Sequence, residues 1–141
     1  MRYFGLGVLV CAAMLVACGD DDSDFATRPD GKELTEGMLT DSRNGQAYKT
    51  VTIGTQTWMA ENLNYETANS YCYKDSVSNC TKYGRLYTWA AAMDSVGTWS
   101  SNGKGCGYDV ACSPTYPVRG VCPEGWHLPD TTEWNTLFTA V

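Results

Sequence analysis

The chain has 141 residues, seven cysteines, one histidine and a formal net charge of −6. A length of this order accommodates one domain and excludes a multidomain enzyme. Sixteen acidic against ten basic side chains argue against a nucleic-acid-binding surface, so no nucleic acid partner is expected. Because 43% of the residues are hydrophobic, the chain has the apolar side chains that a folded core requires.

The N-terminus, MRYFGLGVLVCAAMLVACGDDDSD, has the composition of an export signal. Arg2 precedes an uncharged, mostly apolar stretch that ends at Ala17 and is too short for a membrane span of about 20 residues. The letters LVAC, which end at Cys18, resemble the lipobox of bacterial lipoproteins, in which cleavage before the cysteine frees it for lipidation. We therefore predict a lipoprotein signal peptide over residues 1–17 and a lipid anchor on Cys18. An ordinary signal peptide with an incidental cysteine is the alternative.

Four carboxylates between Asp20 and Asp24 follow that cysteine directly. Such a block repels itself and stays solvated, and the sequence up to about Thr40 has no sustained hydrophobic period. We predict that residues 18–40 form an acidic flexible linker and that residues 41–141 form the domain. Acidic residues after a lipidated cysteine also resemble the surface-export signal of some Gram-negative lipoproteins, which implies the outer membrane, facing the cell surface.

The first elements of the predicted domain are a hairpin and a helix. The β-rich segments from Tyr48 to Ile53 and from Gln56 to Met59 flank a tight turn, which predicts two short strands with three apolar side chains in the core: Val51, Ile53 and Trp58. An apolar stripe at i, i+3, i+4 and i+7 then predicts a helix that stops near Gly97, with these residues facing the core: Leu86, Trp89, Ala90 and Met93.

Export implies an oxidising compartment, so disulfides are expected. Cys72 and Cys80 flank a short polar loop and are the favoured pair, whose closure stabilises by roughly 2–4 kcal/mol. Three further cysteines can form one pair and leave one thiol unpaired, and spacing does not choose among them: Cys106, Cys112 and Cys122. Their gaps lack the short C-x₂₋₄-C spacing of structural zinc sites, so we predict neither a metal site nor a cofactor.

The last segment predicts a helix that begins at about Thr131. Asp130 precedes Glu133 by three residues, as in a capping box, and apolar residues follow at helical spacing: Trp134, Leu137, Phe138 and Val141. The pattern is still running at the last residue, from which we expect an incomplete domain.

No catalytic constellation emerges from the residues themselves. The sole histidine, His127, lies between two apolar residues and is expected to pack and bond a backbone carbonyl. The carboxylates of Asp130 and Glu133 are accounted for by capping, and no hydrolase, metalloprotease or nucleotide-binding fingerprint is present. We therefore predict no catalytic residue.

Three stretches carry a resemblance to a known family: DSRNGQAYKTVTIGTQTWMAENLNY, KYGRLYTWAAAMDS and VRGVCPEGWHLPDTTEWNTL. They resemble the Fibrobacter succinogenes major paralogous domain, a family of exported bacterial proteins that are often lipoproteins, and residues 41–141 correspond to its N-terminal part. The motif GWHLPxxxEW is also similar to a segment of formylglycine-generating and sulfatase-modifying proteins. These resemblances imply an α+β, C-type-lectin-like fold with short strands, two helices and long disulfide-pinned loops.

Three classes of function follow. The first is a surface-anchored, non-catalytic module that binds polysaccharide or a cell-surface partner through exposed aromatic side chains. The candidates lie in the glycine-rich region after residue 97, where packing explains them least: Trp99, Tyr108 and Tyr116. The others are an enzyme related to formylglycine-generating proteins and a nonfunctional truncated paralogue. The first class is our expectation.

Overall fold

A computed structural model describes residues 34–141. The predicted signal peptide, the lipid anchor at Cys18 and the acidic run lie outside these residues. Within the described part, no helix is long and apolar enough to cross a membrane. The regular elements are β1 (Thr35–Thr40), β2 (Ala47–Ile53), β3 (Gln56–Met59), β4 (Ser70–Tyr71), a short 3₁₀ helix (Tyr73–Asp75), α1 (Val77–Tyr83), β5 (Leu86–Tyr87), α2 (Trp89–Ala92) and α3 (Thr131–Ala140).

The larger sheet is antiparallel in the order β1-β2-β3, and its hairpin is the predicted one. Gly54 turns the chain with a φ of 62°, a conformation that glycine adopts without steric cost. The core side of the sheet carries Tyr48, Thr50 and Met59, all buried. Because side chains alternate along a strand, Val51, Ile53 and Trp58 lie on the opposite face. The expectation that these three enter the main core was therefore wrong.

The opposite face of the hairpin is covered by α3. The indoles of Trp58 and Trp134 lie 5.1 Å apart, and Gln56 Nε2 donates to the backbone oxygen of Glu133 at 3.2 Å. The predicted capping box at the start of α3 is present, with Glu133 N donating to Asp130 Oδ1 and Asp130 N donating to Glu133 Oε2. Both faces of the hairpin are thus covered.

The predicted linker of residues 18–40 is wrong at its C-terminal end. Residues 35–40 form β1, which pairs with β2 from Thr35 opposite Thr52 to Thr40 opposite Ala47. Most of its side chains are exposed, which is why its polar sequence resembles a linker. The backbone hydrogen bonds of an edge strand decide the structure here, and these need no apolar pattern.

The predicted helix beginning at Leu86 is also different in the structure. Leu86 lies in β5, opposite Tyr71 of β4, and Thr88 caps a short α2 by accepting a hydrogen bond from Ala91 N. Tyr87, between them, is buried and donates to the backbone oxygen of Tyr65 at 2.7 Å. The apolar spacing is compatible with helix and strand alike, and the side chain that enters the core is Tyr87 rather than Leu86.

The region from residue 93 to residue 129 contains no regular element and is held by close packing. A Cβ added at Gly103 would collide with the backbone oxygen of Met93, and one added at Gly120 would collide with that of Ala92. The buried carboxylate of Asp94 accepts three backbone N–H groups, from Thr98 at 2.8 Å and from the two residues that follow it at 2.7 and 3.0 Å. These bonds satisfy backbone groups that a sheet or helix would otherwise satisfy.

Two disulfides close short loops, Cys72 with Cys80 and Cys106 with Cys112. Cys122 is the remaining thiol of the described residues and is buried without a disulfide partner among them. The small antiparallel sheets, the three α-helices and the disulfide-closed loops make this a small α+β fold. It has one α-helix more than expected, because α1, which contains Cys80, has no counterpart among the predicted elements.

Candidate functional site

A cleft of about 330 Å³ opens between the hairpin turn and the segment that leads into α3. One wall comes from residues 55–59, and the other from residues 122–133, of which Trp126, His127 and Glu133 are among those that line it. We call it the tryptophan cleft because an indole belongs to each wall, Trp58 to the first and Trp126 to the second. Its volume and its mixture of aromatic and polar walls are those of a small-ligand site.

Both indoles are held by packing. Trp58 contacts Trp134 of α3, which in turn stacks on Phe138 with ring centroids 5.8 Å apart. Trp126 is partly buried and packs against the main core. Two polar atoms of the hairpin wall, Trp58 Nε1 and Gln56 Oε1, are buried without a hydrogen-bond partner among the described residues. The cleft therefore has two preorganised aromatic walls.

The polar part of the cleft is a carboxylate–imidazole pair. His127 Nε2 and Glu133 Oε1 lie 2.7 Å apart, and the two side chains are 37% and 32% exposed. The other carboxylate oxygen, Oε2, accepts the N–H of Asp130 at 2.9 Å. The expectation that His127 bonds a backbone carbonyl was wrong, because the capping box directs the carboxylate of Glu133 toward the imidazole. Glu133 thereby joins the cap of α3, the hairpin wall and the histidine.

Cys122 lies among the residues that line the cleft, yet its thiol is buried. Burial raises the pKa of Cys122 to about 12, against the opposing influence of the positive charges of Arg43 and Arg119. The thiolate is the nucleophilic form of cysteine, so a buried thiol with a raised pKa is a poor nucleophile at neutral pH. Within residues 34–141, no group of three metal-ligating side chains is suited to hold a metal ion.

The three aromatic residues predicted to bind a ligand lie elsewhere. Tyr108 and Tyr116 are 74% and 65% exposed on the irregular region, but neither lines the cleft. Trp99 is partly buried: its ring packs edge-on against Tyr65, with centroids 5.4 Å apart, and against the core. A ligand-binding role for Trp99 and the two tyrosines stays a prediction.

The two tryptophans that line the cleft are not among the predicted ligand-binding residues. Trp58 is paired with Val51 across the hairpin, so the two side chains lie on the same face, away from Tyr48 and Thr50. The alternation of side chains along the strands was the available signal for Trp58. For Trp126 no local pattern existed, because it precedes α3 in an irregular segment.

Comparison with known families agrees with this architecture. Residues 51–141 match the model of the Fibrobacter succinogenes major domain. The chain belongs to this family. The family match covers both walls of the tryptophan cleft and the whole of α3. No curated protein and no solved structure matches the chain, so the relation to formylglycine-generating proteins and to the lectin-like fold stays a prediction.

Proposed function

We propose that this member of the Fibrobacter succinogenes major domain family is a non-catalytic module that binds polysaccharide in the tryptophan cleft. The observation that carries the proposal is that two indoles, one from each wall, and a carboxylate–imidazole pair line the same cleft. A sugar ring has an apolar C–H face and a hydroxyl-bearing edge. Indole faces match the first, while an imidazole and a carboxylate match the second.

The size of the cleft supports a short segment of glycan as the ligand. About 330 Å³ lies at the lower end of the range for small-molecule sites, and the aromatic walls are held before any ligand arrives. Preorganised walls reduce the entropy that binding costs, which is valuable for a ligand that makes few contacts. A long polysaccharide would therefore be held at one point along its length.

The chemistry of the cleft supports binding rather than catalysis. Glycoside hydrolysis requires two positioned carboxyl groups, and the residues that line the cleft include one, Glu133. That carboxylate is engaged by His127 and by the backbone of Asp130. The protonated thiol of Cys122 is unsuited to nucleophilic attack.

We propose further that the module is exported and lipid-anchored through Cys18, with the cell surface as its location. The support is the sequence LVAC followed by an acidic run. Radiolabelled palmitate should be incorporated by the wild type and by Cys11→Ala, which removes a cysteine within the signal, but not by Cys18→Ala. Label that persists in Cys18→Ala would refute the anchor.

Affinity electrophoresis in gels that contain soluble glucans, xylans or mannans tests the cleft. We expect at least one of these neutral glycans to retard the wild type, and Trp126→Ala to weaken that binding at least tenfold, because one stacking wall is lost. Trp89→Ala is the matched control, since Trp89 is an exposed tryptophan outside the cleft. Near-UV circular dichroism shows that each variant is folded.

Two results would contradict the proposal. One is a folded wild-type protein that none of the glycans retards. The other is an equal loss of binding in Trp89→Ala and Trp126→Ala, which would place the ligand outside the cleft. Loss of glycan binding in Tyr108→Ala instead would indicate that the ligand binds in the irregular region.

A further inference from the structure

We infer that the tryptophan cleft selects uncharged sugar units and rejects uronates, with Glu133 as the residue that determines this selectivity. The inference rests on the proposed function and adds the chemical class of the ligand. It starts from the ionisable groups that line the cleft: one carboxylate (Glu133), its imidazole partner (His127) and the buried thiol of Cys122, with neither lysine nor arginine.

The start of α3 is the place where an anion would otherwise be attracted. Helix N-termini carry a partial positive charge and free N–H groups, which bind carboxylates and phosphates. Here two of those groups are used by the chain itself, because Asp130 Oδ1 accepts Glu133 N at 2.9 Å and Glu133 Oε2 accepts Asp130 N at 2.9 Å. A ligand carboxylate at this helix start would lie near the carboxylates of Asp130 and Glu133, which form the cap.

Two guanidinium groups close enough to influence the thiol of Cys122 do not change this conclusion. Arg43 forms an ion pair with Asp41, with Nη2 and Oδ2 2.7 Å apart. Arg119 donates to the backbone oxygens of Cys122 and Trp99, each at 3.3 Å. Neither arginine lines the cleft, so neither is placed to form a direct ion pair with a ligand there.

A uronate differs from the matching neutral sugar by a carboxylate in place of the C6 hydroxymethyl group. In a cleft of this size, that charge would lie within a few ångströms of Glu133, whose side chain is about two-thirds buried and only partly screened by water. We expect the repulsion to weaken uronate binding at least tenfold at low ionic strength. Added salt should reduce the difference, because the cleft is open to solvent.

The test compares matched ligands by isothermal titration calorimetry. Oligosaccharides of cellulose and mannan are titrated beside their C6-oxidised uronate counterparts of equal length, with wild type and Glu133→Gln. Glutamine preserves the capping box at this helix position but removes the charge. We expect the ratio of neutral-sugar affinity to uronate affinity to fall about tenfold in the variant, whatever the substitution does to the affinity for either ligand alone.

Several outcomes separate this inference from the proposed function. If neither neutral nor charged glycans bind, the proposed function fails and the inference fails with it. If glycans bind but the wild type prefers uronates or does not discriminate, only the inference is overturned. Discrimination that survives unchanged in Glu133→Gln would also overturn it. If that variant does not fold, the salt dependence of the wild type is the test. Discrimination between neutral sugars and uronates that persists in 0.5 M salt would contradict an electrostatic cause.

Discussion

Two sites in this molecule combine a carboxylate, a nitrogen-bearing partner and tryptophan, and they differ in exposure. The buried cluster consists of Asp41, Arg43, Tyr65 and Trp99, in which the carboxylate is fully buried and the guanidinium side chain is 12% exposed. Arg43 lies 3.9 Å from the centre of the Tyr65 ring and 5.1 Å from that of Trp99. In the tryptophan cleft, the His127–Glu133 pair is about one-third exposed.

The difference in exposure indicates different roles for the two sites. Asp41 accepts from the backbone N–H, Nε and Nη2 of Arg43, so its hydrogen-bonding capacity is used within the chain. Burial alone would raise the pKa of Asp41, but the hydrogen bonds and charge of Arg43 lower it below the usual value. The cleft leaves its aromatic walls and its imidazole accessible instead. Similar residue types therefore stabilise the fold in one place and form a candidate binding site in the other.

Disrupting the buried cluster is expected to have the largest effect on the free energy of unfolding. Asp41→Asn removes the charge that compensates Arg43 and should lower the free energy of unfolding by about 3 kcal/mol, because a poorly solvated guanidinium is left without an ion-pair partner. Urea denaturation followed by tryptophan fluorescence measures it. Asp109→Asn is the matched control on an exposed aspartate and should change the value by less than about 0.5 kcal/mol. Equal effects of the two substitutions would contradict the assignment.

Cys122 lines the cleft, and the charges of Arg43 and Arg119 both influence its thiol. Its expected effect on the free energy of unfolding is smaller and depends on pH. Its pKa is raised by burial from an ordinary value near 9 to about 12 in the folded protein. The protonated thiol is thus favoured by folding, so its contribution is complete below pH 9 and is lost as the pH rises toward 12. We expect the free energy of unfolding to fall by about 1 kcal/mol between pH 8 and pH 10 from this group.

The variant Cys122→Ala isolates that contribution. Tyr48 and Tyr87 also have raised pKa values through burial, so the wild type loses stability at high pH for other reasons as well. The quantity to compare is therefore the change in the free energy of unfolding between pH 8 and pH 10, measured by urea denaturation of the wild type and of the variant. An identical change in the two proteins would show that the thiol ionises in the folded protein as it does in water, and would reopen a nucleophilic role.

Local patterns predicted the elements whose stabilising contacts are close in sequence. The hairpin of β2 and β3 depends on alternation around one turn, and the capping box depends on two residues three apart. The pair Cys72–Cys80 follows from a short loop. Each of these involves groups that the chain brings together without help from distant segments.

Predictions failed where a distant partner decides. β1 exists because β2 offers it backbone hydrogen bonds, and its exposed polar side chains carry no signal of this pairing. Leu86 and Trp89 fit a helical period, but pairing of β5 with β4 and burial of Tyr87 against the chain near Tyr65 override it.

By itself, the sequence determined the family, the α+β class, the hairpin and the start of α3, because motifs, alternation and capping act over a few residues. Only the tertiary structure decided which aromatic residues are available to a ligand. Trp58 and Trp126 are far apart along the chain and line the same cleft only in the folded protein, in which α3 packs on the hairpin. Exposure depends on what all other segments cover, and no local pattern contains that information.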